Sequence, residues 1–180
     1  MSKLSNPAPR PEVWLRGPVE GISATLQPVA HALLQVREDV ARVAGDATAE
    51  ELWTAPGGAA TAGFHLRHLA GSLERLYTYA RGEPLSEAQH ATLAVEREPG
   101  NPPATGAELV KLVERTIDAA LLQLRQTPDV VLGEARAVGR RRLPSTTLGL
   151  LFHGAEHAQR HAGQLVTTLR IVRGLRGQEP

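Results

Sequence analysis

The sequence predicts an all-α fold, a four-helix bundle, on three observations. Four long stretches carry apolar residues at helical spacing, no segment alternates with period two for long, and Pro, Gly and capping residues fall between the stretches. With 180 residues the chain suits a single domain over 1–180, with residues 1–17 read as an irregular N-terminal arm. The aromatics are Trp14, Trp53, Phe64, Tyr77, Tyr79 and Phe152, so the core must be aliphatic.

The first long helix is read from Pro28 to Ala44. Proline suits a first turn, where its missing N–H is no loss. Val29, Leu33, Val36, Val40 and Val43 follow at helical spacing, and Gly45 is the stop. Residues 18–26 are a candidate for a short helix ahead of it. The second runs from Ala62 to Arg81 with Leu66, Leu69, Leu73, Leu76 and Ala80 as its stripe, ended by Gly82 and Pro84.

The third runs from Gly106 to Gln126. Thr105 with Glu108 forms a capping box, each side chain satisfying a free backbone donor, and Leu109, Leu112, Ile117, Ala120, Leu121 and Leu124 form the stripe. The fourth runs from Thr146 to Arg173, with Ser145 as N-cap after Pro144 and Gly174 as stop. Two more boxes, Thr48 with Glu51 and Ser86 with Gln89, predict small helices in the connections. Residues 129–138 could be extended, but no partner strand is recognisable. The connections after the second and third helices are long, so a simple up-down-up-down order is not forced.

Charge excludes some functions. Lys plus Arg is 20 against 19 for Asp plus Glu, a formal net charge of +1, without the basic face of a nucleic-acid binder. The Arg140, Arg141, Arg142 cluster has no stacking aromatics beside it and reads as a solvated loop. Cysteine is absent, which removes disulfides, Cys-ligated zinc, iron–sulfur clusters and a cysteine nucleophile, and fits a reducing compartment. The longest strongly apolar run, Leu148 to Phe152, is far short of the ~20 residues a membrane span needs. Met1 to Pro11 has no apolar stretch of signal-peptide length. The expectation is a soluble cytoplasmic protein without membrane or nucleic-acid partners.

Seven histidines are present: His31, His65, His68, His90, His153, His157 and His161. Three lie on the fourth helix at spacing four. Residues i and i+4 are one turn apart on one face, about 6 Å between Cβ atoms, which lets two imidazoles converge on one metal ion at about 2.0–2.1 Å. On a helical wheel the apolar arc of this helix is set by Leu150, Gly154, Leu165, Thr168 and Val172. His157 and His161 fall inside it; His153 lies at its margin, toward Glu156, Arg160 and Arg170. Two core-facing histidines are costly unless their nitrogens are satisfied, by a metal or by carbonyls and water. The second helix offers His65 and His68. The wheel favours His65, nearer the centre of the leucine arc, over His68 on the flank with Ser72 and Tyr79. His31 and His90 lack a partner at metal spacing and read as structural or solvated.

The stretch from His68 to Leu76 (His-Leu-Ala-Gly-Ser-Leu-Glu-Arg-Leu) followed by Gly82-Glu-Pro-Leu-Ser-Glu resembles the second helix of DinB/YfiT-like proteins. The stretch from His153 to Gln164, with its H-x3-H-x-G-Q pattern, resembles their last helix. Trp14-Leu-Arg-Gly-Pro and Leu26-Gln-Pro-Val-Ala-His31 are also similar. The likeness implies an up-down-down-up four-helix bundle and a divalent metal, zinc or nickel, on His68, His157 and His161. It thus selects His68 where the wheel favours His65. It further implies a homodimer, for which Tyr77 at the edge of the second stripe is a candidate exposed anchor. Some members of the family are S-transferases that use bacillithiol or mycothiol.

The resulting expectation is a divalent-metal-dependent enzyme that activates a low-molecular-weight thiol for transfer to an electrophilic small molecule. With no cysteine in the chain, such a thiol must come from outside. The alternatives are a metal-dependent hydrolase and a non-catalytic, stress-linked metal-binding or structural protein. Gln164, Ser72 and Tyr79 are candidates to support the ligands, and no Glu or Asp is singled out as a general base.

Overall fold

The computed structural model describes residues 10–177. Residues 1–9 of the predicted arm lie outside the described residues. The rest of that arm is not wholly irregular: Val13–Leu15 forms a 3-10 turn. Val13 is buried, and its N–H donates to Gln35 Oε1 at 3.1 Å.

The described chain is mostly helical, with six α-helices and one two-stranded hairpin: α1 (Gln27–Ala44), α2 (Ala49–Trp53), α3 (Ala62–Ala80), α4 (Glu87–Ala94), α5 (Gly106–Gln126), β1 (Ala135–Val138), β2 (Leu143–Thr146) and α6 (Thr147–Arg176). The four long helices agree with the predicted stretches to within a few residues. Capping accounts for several starts. All three predicted boxes form, at Thr48/Glu51, Ser86/Gln89 and Thr105/Glu108, and Thr61 Oγ1 accepts from Phe64 N at 3.1 Å to open α3. The short helix read at 18–26 is a 3-10 turn, Ala24–Leu26, leading straight into α1.

Two expectations are corrected around α6. Its N-cap is Thr146 rather than Ser145: Thr146 Oγ1 accepts from Gly149 N at 3.0 Å. Gly174 does not stop it; the helix continues to Arg176 and Gly177 is the C-cap. A third correction concerns residues 129–138. The strand there has a partner, because Gly139 at φ 65° and Arg142 at φ 49° turn the chain back, and Ala135–Val138 pairs antiparallel with Leu143–Thr146. Pro144 hid β2, since proline cannot donate to a ladder and reads as a strand breaker. The three arginines lie at this exposed turn, as a solvated loop requires. Arg136 Nε donates to Ala80 O at 2.8 Å and ties the hairpin to the end of α3.

The long helices pack α1 on α6, α6 on α3, α3 on α5 and α5 on α1. The predicted stripes supply the core: Leu33, Leu66, Leu69, Leu73, Ile117, Leu124, Leu165 and Val172 are buried. The α3–α6 seam is tight at Gly154, where a Cβ would lie 2.9 Å from the Tyr77 ring and 3.1 Å from Leu73 Cδ1. Only glycine admits that approach. Tyr77 is accordingly 3% exposed, which removes it as an exposed dimer anchor. Down the seam, Leu73 and Tyr77 meet Gly154, His68 meets His157 and His65 meets His161, so α3 and α6 run antiparallel.

Candidate metal centre

The antiparallel seam brings the first two turns of α3 against the middle of α6. His68, His157 and His161 converge there, with one ring nitrogen of each within 4.8 Å of the others. His68 Nε2 and His157 Nε2 are 3.1 Å apart. Two nitrogens bound tetrahedrally at about 2.0–2.1 Å would be about 3.3 Å apart, so this spacing fits a divalent ion with little movement. The three donors are imidazoles, which suit a divalent transition metal. These three residues could hold a metal ion.

The other ring nitrogens are engaged unequally. His68 Nδ1 donates to Glu96 Oε2 at 2.7 Å; a carboxylate offers only acceptors, so Nδ1 carries the proton and Nε2 faces the cluster. His161 Nδ1 lies 3.1 Å from His65 Nδ1, which leaves its Nε2 free. His157 Nδ1 is buried without a hydrogen-bond partner. Phe64 covers one face of His68, with ring centroids 5.2 Å apart and an interplanar angle of 18°. The Arg97 guanidinium lies 4.4 Å over Phe64 in turn.

Electrostatics keep His157 and His161 in their ligating form. Burial, then the positive potential of His68, His157, His65 and Arg160, pushes His161 down to about 3. Burial and the neighbouring His68 also lower His157, and His65 is lowered by burial with His68 and Arg97. These rings are neutral at pH 7, as a metal ligand must be. Burial alone would raise Glu96, but the hydrogen bonds from His68 and Arg75 outweigh it and hold the carboxyl below its usual range.

The ambiguity between His65 and His68 resolves geometrically: His68 joins the converging trio, and His65 packs behind His161. His153 is exposed and bonds Glu156 at 3.1 Å. His31 bonds Gly17 O at 3.0 Å and His90 is exposed, so neither joins the cluster. The proposed supporting residues are elsewhere. Ser72 Oγ donates to Leu69 O at 3.3 Å, and Gln164 is exposed on α6. No hydrogen bond joins Tyr79 to the trio. Sequence reasoning missed Glu96 and Arg75. Glu96 lies in the connection between α4 and α5, where no periodic pattern marks it, and its burial is the one signal, visible only in three dimensions.

A helical protein with three histidines converging from two packed helices belongs among those able to bind a metal within a helix seam. The comparisons make the class specific. The family model described as the DinB superfamily matches residues 32–165, and the chain belongs to that superfamily. The fold is similar to the crystal structure of a conserved protein from Enterococcus faecalis, with a TM-score of 0.63 and 20% identity over 83% of this chain and 97% of that one. No curated protein matches the chain. No helix among the described residues is long and apolar enough to cross a membrane.

Proposed function

We propose that this protein is a divalent-metal-dependent enzyme, using zinc or nickel, that transfers a low-molecular-weight thiol such as bacillithiol or mycothiol to an electrophilic small molecule. His68, His157 and His161 are its metal ligands. The observation that carries this reading is the convergence of three imidazoles with no fourth protein ligand among the described residues. A divalent ion held there would lower the pKa of a bound thiol or water and so supply a nucleophile at neutral pH. The chain's own part is to hold three imidazole donors, which add no negative charge to the ion, and to cover one face of His68 with Phe64. With no cysteine of its own, the chain cannot supply the thiol.

A cavity of about 810 Å³ opens beside His65, lined by Ala59, Ala60, Ile171 and Leu175 on its apolar side and by Gln164 and Arg160 on its polar side. That volume is in the range of small-molecule sites, roughly 300–1,000 Å³. Its mixed lining supports a substrate with an apolar body and a polar end.

The bundle is read as up-down-down-up. The parallel pair this requires, α3 beside α5, is supported by Tyr77 O accepting from Gln123 near both C-terminal ends and by the long crossover 81–105 that carries α4. The homodimer is retained on a different surface from Tyr77. Trp14, 61% exposed, and Phe152, 58% exposed, line one groove between α1 and α6 and are apolar surface for a second copy to cover. The cytoplasm remains the proposed compartment.

The test is turnover of a chromogenic electrophile with bacillithiol, mycothiol or glutathione, comparing the zinc- or nickel-loaded wild type with His161→Ala. Metal-dependent turnover with one thiol, lost in the variant, is the expected result. Equal rates in wild type and variant across all thiols reject the transferase. Ester or amide hydrolysis that depends on the metal would replace it with the hydrolase, and a bound metal without either reaction would leave a binding protein.

A further inference from the structure

Glu96 is a buried carboxylate far from its natural place at the surface. It is 3% exposed, and both oxygens are used: Oε2 accepts from His68 Nδ1 and Oε1 from Arg75 Nη1, each at 2.7 Å. Arg75 is itself buried. A buried carboxylate is costly unless it is paired and hydrogen-bonded, and here the pairing is built by one face of α3. His68, Gly71 and Arg75 are at i, i+3 and i+7, and a Cβ on Gly71 would lie 2.5 Å from Glu96 Oε1 and 2.7 Å from Arg75 Nη1. The missing side chain of Gly71 is the space in which the pair sits.

We propose that Glu96 is a positioning residue for His68, and that Arg75 positions Glu96 and cancels its charge. The inference rests on the metal-binding reading of the histidine trio. Glu96 fixes the proton of His68 on Nδ1, so the Nε2 lone pair is aimed at His157 and His161 before any ion arrives. A histidine ligand whose second nitrogen donates to a carboxylate is held in one tautomer and one ring orientation. Without Arg75 that carboxylate would add a negative charge one residue from the ion and weaken its pull on an anionic fourth ligand. With Arg75 the pair is neutral, and the ion keeps its charge for the substrate side. The connection between α4 and α5 is thereby part of the metal site, although it contributes no ligand.

Two readouts test this on the full chain. In the metal-free protein, ¹⁵N chemical shifts of the histidine rings report the tautomer of His68. In the same proteins, competition with a chromogenic chelator gives the zinc affinity. The wild type should show His68 protonated on Nδ1 and bind one zinc per chain. Glu96→Ala should lose the single tautomer and bind zinc about 10–100-fold more weakly. Because that variant strands the buried Arg75, the double variant Glu96→Ala/Arg75→Leu is measured beside it; it removes both charges and should weaken zinc to a similar extent. A folded variant with an unchanged His68 tautomer and unchanged zinc affinity overturns the positioning role and leaves the metal reading standing. A wild type that binds no zinc overturns both.

Discussion

On α6, His157 and His161 are placed by spacing: one turn separates them on the face that meets α3, and the Nδ1 of His157 has no partner at all. On α3, His68 is gripped by Glu96 and backed by Phe64, while His65 leans on His161 from behind. The difference teaches that α6 offers two of the three donors by register alone, whereas the third, on α3, is held by its surroundings. Two donors on one helix need only a register; a donor from a second helix must be aimed, and Glu96 of the α4–α5 connection does so together with Phe64 and Arg75 of α3.

The largest effect is expected on the α6 side. His157→Ala and His161→Ala each leave two ligands, and zinc stoichiometry measured after dialysis should fall from one per chain to none. Retained stoichiometric zinc in either variant would break the distinction between the helices. Gly71→Ala probes the α3 side without touching a ligand. Its methyl must displace Glu96 or Arg75, and overpacking of this kind costs about 1–3 kcal/mol. Thermal unfolding should show that loss, with weaker zinc binding; an unchanged protein would mean the pair has room to spare.

Acid should act on both sides in turn. The unfolded chain protonates His161 near its ordinary 6.5, whereas the folded chain withholds the proton until about 3. The unfolded state therefore binds more protons in that window, and the metal-free protein loses stability as the pH falls from about 6.5 toward about 3. Glu96 is lowered on folding, so its contribution is present above its ordinary 4.5 and is lost as the pH falls through its lowered value. Urea unfolding in chelator across pH 7.5 to 4 measures the slope, and His161→Leu should flatten its upper part. The smallest effect belongs to His65→Ala. It removes a support but no ligand, so zinc should remain at one per chain with affinity reduced by no more than about tenfold.

How much of this was legible in the sequence follows the same division. The long helices and three capping boxes were readable because periodicity and caps are local. The His157/His161 pair was readable for that reason too. A single-helix wheel favours His65 over His68, but the choice depends on how α3 is rotated against α6, which no single-helix pattern encodes. The family resemblance supplied His68; the sequence pattern alone did not. Glu96 was illegible because its partners, His68 and Arg75, are 28 and 21 residues away. The β-hairpin was missed because one strand contains a proline and the turn needs positive φ at Arg142, a residue that rarely adopts it.

The most direct test of the central claim is a crystal structure of the zinc-loaded protein with anomalous scattering recorded at the zinc edge. The account predicts one anomalous peak per chain, about 2.0–2.1 Å from the Nε2 atoms of His68, His157 and His161, with His68 Nδ1 still donating to Glu96 and His65 outside the coordination sphere. A peak ligated by His65 in place of His68, or no peak at the seam from a protein that has taken up zinc, would contradict it.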